Sequence, residues 1–339
     1  MHPSRLEVMR HLEPFVADNL KVLLREPEAN WQPADFSPDL RTEEGFEHLR
    51  QLQAEARELP EDVLTVLIGD MITEEALPTY ASWIFTLEGV GVQGEPKTSW
   101  GAWNRGWCGE ENRHGDILNR YLYLTGRVNM REVEVTVQNL IFDGGDTETD
   151  NDPYRTFIYT SFQEIATRIS HLNVGRMARQ AGAEMLHTLS ARVAGDEQRH
   201  ARAYSLFIEK FMELDPSEVM LAFQDMMKKK ITMPARYMRE YGASVGDTFR
   251  KFEVVAGRTG VYTPADYVGI VEDLLKRWDI EHVTGLNSAA AQAQDYLCRL
   301  PGRYRNILDR IKKPVDDMPV TFRWFNPGTT EPESLAASS

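Results

Sequence analysis

Glu110-Glu111-Asn112-Arg113-His114 is answered eighty-six residues later by Asp196-Glu197-Gln198-Arg199-His200. Each copy reads acid-Glu-x-Arg-His, and in each the Glu and the His stand at i and i+3. On a helix that spacing places both side chains on one face, one turn apart. One metal ion can then take a carboxylate oxygen and an imidazole nitrogen from the same helix, and two such helices can hold two metals.

Working outward, Glu74 lies 37 residues before Glu111, and Glu164 lies 33 before Glu197. Both intervals fit a helix, a connection and the approach into the next antiparallel helix. The chain therefore reads as two copies of a unit with one Glu on its first helix and Glu-x-x-His on its second, the ligand set of a carboxylate-bridged two-metal four-helix bundle. Hard carboxylate oxygens with one imidazole per metal favour iron or manganese over zinc or copper. Glu74 is followed by Glu75, and periodicity does not decide which of the two faces inward. Glu184 and His187 also match Glu-x-x-His. They stand 13 residues before Glu197 and His200, which at about 100° per residue turns them to nearly the opposite side of the helix, so a surface or packing role is expected for them.

The chain of 339 residues carries a net charge of −14, which argues against a general nucleic-acid binder. Two cysteines, Cys108 and Cys298, give no disulfide framework and fit a reducing compartment. No apolar run approaches the roughly 18 residues of a membrane span, and Met1-His2-Pro3-Ser4 lacks the apolar core of a signal peptide.

In order, apolar residues from Leu6 to Leu23 recur with helical period, up to a loop holding Pro27, Trp31, Pro33 and Pro38. Phe46, Leu49 and Leu52 mark a short helix. Pro60-Glu61-Asp62 starts another, with acids at its positive end, and Pro78 should bend it past Glu75. After a Gly- and Pro-containing loop from Gly89 to Lys97, Ser99 is the expected N-cap of a helix that carries Trp100, Trp103, Trp107 and the first pentapeptide and ends near Gly126. The acidic segment from Asp143 to Asp152 fails as a calcium loop because position six is Asn151 and position twelve is Phe157. The helices bearing Glu164 and Glu197 follow, the second ending before Asp215-Pro216. Shorter helices fill residues 217–313, and the tail from Met318 to Phe325 alternates enough to predict a small strand or hairpin. The fold class is all-α, and no Gly-rich phosphate loop or βαβ alternation is present.

The runs Gly69-Asp70-Met71-Ile72-Thr73-Glu74-Glu75-Ala76-Leu77-Pro78-Thr79-Tyr80, Glu110-Glu111-Asn112-Arg113-His114-Gly115-Asp116, Tyr159-Thr160-Ser161-Phe162-Gln163-Glu164 and Asp196-Glu197-Gln198-Arg199-His200 resemble the soluble acyl-acyl carrier protein desaturases, the stearoyl desaturase family of plastids and some bacteria. The similarity runs from Trp31-Gln32-Pro33 through Thr284-Gly285-Leu286 to the Trp324 tail. It implies one domain over residues 1–339, a ferritin-like di-iron helical bundle with its core at about 60–215 and extra helices. It selects Glu74 over Glu75 and implies the metal ligands Glu74, Glu111, His114, Glu164, Glu197 and His200, holding two iron ions. It also implies Thr167 beside the oxygen site, and a link from His114 through Asp196 to Trp31.

The activity implied is O2- and ferredoxin-dependent insertion of a cis double bond into a saturated acyl chain carried on acyl carrier protein, by a homodimer in a plastid stroma or bacterial cytoplasm. Stearoyl delta-9 chemistry is the first expectation, and a palmitoyl, delta-4 or delta-6 variant the second. An acidic enzyme meeting an acidic carrier needs a basic patch, for which Lys228-Lys229-Lys230 with Arg236 and Arg250-Lys251 are candidates. Delta-9 relatives tend to be acidic near Arg250, and a two-residue insertion stands around Gly242 to Asp247. Iron storage in a ferritin-like cage and the radical subunit of ribonucleotide reductase share the ligand logic. The first has no use for the helices after residue 215, and the second expects an Asp where Glu74 stands.

Overall fold

The computed structural model describes residues 3–91, 97–310 and 319–325. Thirteen α-helices are formed among them: α1 Pro3–His11, α2 Glu13–Leu23, α3 Glu43–Glu58, α4 Glu61–Glu75, α5 Leu77–Phe85, α6 Ser99–Thr125, α7 Met130–Asp143, α8 Pro153–Gln180, α9 Glu184–Leu214, α10 Pro216–Lys229, α11 Asp247–Thr259, α12 Pro264–Arg277 and α13 Ser288–Leu308. None is long and apolar enough to cross a membrane.

The helix ends follow local chemistry. Thr98, one residue before the expected Ser99, caps α6 by accepting from the Gly101 N–H. The same helix stops at Gly126, whose φ of 68° closes the turn at no steric cost. Asp152 caps α8 ahead of Pro153, and Glu61 with Asp62 fill the first turn of α4 behind Pro60. Pro78, lacking an N–H, restarts the chain as α5 after a break at Ala76.

Helices α4, α6, α8 and α9 pack around the centre. The side chains of α4 are buried almost all round, as expected of a helix enclosed by others. Trp100, Trp103 and Trp107 form one stripe of α6. Trp100 meets Phe157 of α8 and Phe207 of α9 with ring centroids at 5.4 and 5.0 Å, and Trp103 meets Tyr204 at 5.5 Å. These rings are fully buried, and burial of side chains this large contributes on the order of 2–3 kcal/mol each, enough to fix the register of α6 against α9.

The expected C-terminal hairpin is not formed among the described residues, from which Met318 is absent. Phe325 makes a single antiparallel bridge to Val128, and the Asn129 N–H donates to the Trp324 carbonyl at 2.7 Å. The tail finds its partner in the α6–α7 connection rather than in itself. Trp324 is wholly buried, stacks on Phe322 at 4.4 Å and donates from Nε1 to Thr136 Oγ1 at 3.0 Å. Of the Gly89–Lys97 loop, residues 92–96 lie outside the described residues.

Candidate metal centre

The two pentapeptides lie on α6 and α9, Glu74 on the last turn of α4 and Glu164 mid-way along α8. The fold gathers them into two overlapping donor groups. Glu74, Glu111, His114 and Glu197 form one, and Glu111, Glu164, Glu197 and His200 the other, with the ligand atoms of each group within 4.8 Å of one another. Glu111 and Glu197 belong to both. Gly115 makes room for this meeting: a Cβ there would stand 3.2–3.3 Å from the backbone of Glu74 and Glu75, so α6 approaches α4 where a side chain would hold it off.

The donors face one another without satisfying one another. His114 Nδ1 stands 3.2 Å from Glu111 and 3.1 Å from Glu197, and His200 Nδ1 stands 2.6 Å from Glu111 and 3.6 Å from Glu164. Yet His114 Nδ1, His200 Nδ1, Glu111 Oε1 and Glu197 Oε1 are all buried without a hydrogen bond of acceptable geometry. Buried polar atoms are ordinarily paired, so this convergence fits a cation between them. Burial, and then Glu111 and Glu197, push the Glu164 carboxyl well above the usual range, the expense of gathering like charges that a bound cation would offset.

Each candidate donor except Glu111 has an outer partner that is not one of the six. Trp107 Nε1 donates to Glu164 Oε1 at 3.0 Å, Thr167 Oγ1 lies 3.1 Å from Glu197 Oε2, and His171 Nε2 lies 3.1 Å from Glu74 Oε1. Burial lowers His171, but Glu74 and Asp70 more than offset it, to about 9. Asp70, pushed up to about 6 by burial, accepts from Ser170 Oγ at 2.8 Å.

The imidazoles are held crosswise. His114 Nε2 is 3.4 Å from Asp196 Oδ2, and His200 Nε2 is 2.8 Å from Glu110 Oε2, so the first acid of each pentapeptide serves the histidine of the other. Trp31 Nε1 donates to Asp196 Oδ2 at 3.0 Å, its ring is stacked on His114 at 6.1 Å, and Arg113 lies over it. Burial opposes ionisation of Glu110, yet His200, the Arg25 N–H and Arg199 hold it at about 2. Asp196 is likewise held well below the usual carboxylate range, by His114 and Arg199 against burial.

Trp31, Thr167, Asp196 and the six candidate ligands thus lie together in the fold. Glu75 is half-buried and belongs to neither donor group. Glu184 is exposed, and His187 packs 3.0 Å from the Gly175 carbonyl. Glu110, Arg199, Trp107 and His171 were not anticipated. Glu110 and Arg199 had a signal, as the counterparts of Asp196 and Arg113 in the repeated frame.

A cavity of about 1320 Å³ runs from Glu74, Glu111 and Glu197 between α4, α8, α11 and α12 to the exposed side chains of Lys230, Arg236 and Arg250. Both candidate basic patches therefore border one opening. Lys229 there pairs with Asp150 at 3.0 Å and Asp225 at 3.3 Å, and Arg250 pairs with Asp247. Lys251 pairs with Glu240 at 2.9 Å.

These features define an all-helical protein with paired, buried carboxylate–histidine groups able to hold metal beside a long cavity. The chain belongs to the fatty acid desaturase family, whose model matches residues 4–326. It is 47% identical over 328 residues to the chloroplastic stearoyl-[acyl-carrier-protein] 9-desaturase of Gossypium hirsutum, covering 96% of this chain and 82% of that one. It is 48% identical over 311 residues to the chloroplastic palmitoyl-[acyl-carrier-protein] 4-desaturase 3 of Ophrys sphegodes, covering 91% and 78%. The X-ray structure of DesA2 from Mycobacterium tuberculosis H37Rv shares the fold with a TM-score of 0.52 at 17% identity, over 85% of this chain and 99% of that one.

Proposed function

We propose that this chain is an acyl-[acyl-carrier-protein] desaturase that introduces a cis double bond into a saturated acyl chain, with stearoyl delta-9 chemistry as its first activity. The observation that carries the reading is the cavity leading from the paired donor groups to an exposed basic rim. The overall change consumes one O2, two electrons and two protons, removes two vicinal hydrogens and yields the alkene and two waters. The similarity to a palmitoyl 4-desaturase keeps that activity as the second reading.

The donor set fits two iron ions: Glu74 and His114 would serve one, Glu164 and His200 the other, and Glu111 with Glu197 would bridge. Bound iron supplies the O2-dependent oxidation of an unactivated methylene that no acid–base side chain can perform. The protein's own part is positional. Asp196, Glu110, His171 and Trp107 fix the orientation of the donors they touch. The cavity keeps water from the acyl chain and holds one carbon pair beside Glu74, Glu111 and Glu197. Thr167 places one hydroxyl proton at Glu197 or at its own helix carbonyls, since it has a single hydrogen to give. The rim of Lys230, Arg236 and Arg250 meets an acidic carrier protein.

A ferredoxin as electron donor, a homodimer, one domain spanning the chain, and residence in a plastid stroma or bacterial cytoplasm complete the reading. The test is turnover of a panel of acyl carrier protein esters with reduced ferredoxin and O2, locating the product double bond by mass spectrometry. A cis alkene supports the proposal and fixes chain length and position. Two irons bound per chain with no alkene from any ester would overturn it in favour of iron handling.

A further inference from the structure

Resting on the two-iron reading above, we propose that Arg199 is a positioning residue that locks the two pentapeptides to each other, so that both candidate metal subsites depend on one guanidinium. Arg199 donates from Nη1 to Asp196 Oδ1 at 3.0 Å, and its Nη2 contacts Glu110 Oε2. Those two acids are the outer partners of His114 and His200 respectively. One planar fork therefore spans the two groups that orient both imidazoles, a reach that the point charge of a lysine does not reproduce.

The frame repeats but its arginines do not play the same part. Arg113, in the position equivalent to Arg199, lies 5.2 Å from the Trp31 ring centre and 3.6 Å from Asp196 Oδ2. No contact from it to Glu110 parallels that of Arg199 among the described residues. Asp196 Oδ2 is shared by Trp31, His114 and the nearby Arg113, whereas its Oδ1 has Arg199 as its hydrogen-bond donor. On the other acid, Glu110 Oε1 accepts from the Arg25 backbone N–H and from Asn30 Nδ2, leaving Oε2 to His200 and Arg199. Removing Arg199 thus leaves Asp196 Oδ1 without its donor and Glu110 Oε2 with His200 alone. Both acids are buried, where a carboxylate that loses a donor turns toward another, and each would carry its histidine's Nδ1 away from the centre.

The experiment compares iron release to a strong chelator, and the Mössbauer spectrum of the ferric protein, in wild type, Arg199→Met, Glu110→Gln and the double variant. Outer-partner loss commonly costs 10–100-fold in metal affinity, and release of both irons about tenfold or more faster is expected in Arg199→Met, with both iron environments altered. Because Arg199 acts partly through Glu110, the double variant should lose less than the sum of the two single effects. Circular dichroism of the metal-free protein reports folding. Should Arg199→Met fail to fold, Arg199→Lys keeps the charge without the fork and should still release both irons faster than wild type. Wild-type release rates and spectrum in a folded Arg199 variant, or fully additive effects, would overturn the clamp alone. A wild-type chain that takes up no iron overturns the two-iron reading and the clamp with it.

Discussion

Trp31 and Asp196 lie 165 positions apart, yet the indole Nε1 donates to the carboxylate Oδ2 at 3.0 Å while the ring stacks on His114. A residue in a proline-bounded loop near the start of the chain thereby reaches the outer nitrogen of a candidate metal ligand. Trp31 is also only half-buried, so the path from His114 through Asp196 ends near solvent. Replacement by Phe keeps the ring and deletes the donor. Iron content of Trp31→Phe should stay at the wild-type level while reduction of the ferric centre by ferredoxin slows about tenfold, the scale of outer-partner losses. Stopped-flow absorbance measures both, and unchanged reduction would remove Trp31 from the path.

Thr167 has one hydroxyl hydrogen and three acceptors, the carbonyls of Gln163 and Glu164 and Glu197 Oε2, each at 3.1 Å. Thr167→Val is nearly isosteric and should cost only about 1 kcal/mol of stability, the net value of one hydrogen bond. Thermal unfolding should therefore show little change. Desaturation should fall well beyond that, because the hydroxyl also lines the cavity beside Glu197. Equal alkene yield per O2 consumed in the variant and wild type would count against a role at the site.

Gly69 is a mid-helix glycine, for which alanine would ordinarily gain about 1 kcal/mol. Here a Cβ would stand 2.2 Å from Cε2 of Phe252 on α11. Overpacking costs about 1–3 kcal/mol and outweighs the helix gain. Gly69→Ala should lower the melting temperature. It should also change acyl-length preference, since Gly69 and Phe252 both line the cavity and the ring has to swing aside. A variant melting higher with unaltered preference would show that Phe252 yields freely.

Burial pushes the Cys108 thiol up to about 12, whereas Cys298 is exposed. A disulfide-exchange reagent at pH 8 should titrate one thiol per native chain quickly and both after denaturation, because the thiolate is the reactive form. Two fast thiols in the folded protein would mean that the packing around Cys108 opens readily.

Trp324 anchors the tail through full burial and the bond to Thr136. Trp324→Ala should destabilise the protein by about 3–5 kcal/mol, measurable by urea unfolding. A loss under 1 kcal/mol would show that the tail only rests on the α6–α7 connection.

Four of the six candidate ligands, Glu111, His114, Glu197 and His200, were legible because Glu-x-x-His is a local relation: any helix puts i and i+3 on one face, whatever packs against it. Helix ends at Pro60 and Gly126 were legible for the same reason. The choice of Glu74 over Glu75 needed the resemblance, since adjacent residues differ by only about 100° and both carboxylates suit a metal. What only the tertiary structure decided is everything that depends on how two helices meet. The pentapeptides announce two like sites, but the crossing of α6 and α9 sends each leading acid to the other's histidine and draws Glu110 and Asp196 onto one arginine. The tail's alternation pointed to a hairpin, and the partner it found was Val128 and Asn129, almost two hundred residues away. The sequence by itself determined which side chains share a face; which faces touch was decided by packing, because burial of the Trp100–Trp103–Trp107 stripe against α9 sets the register in which those faces meet.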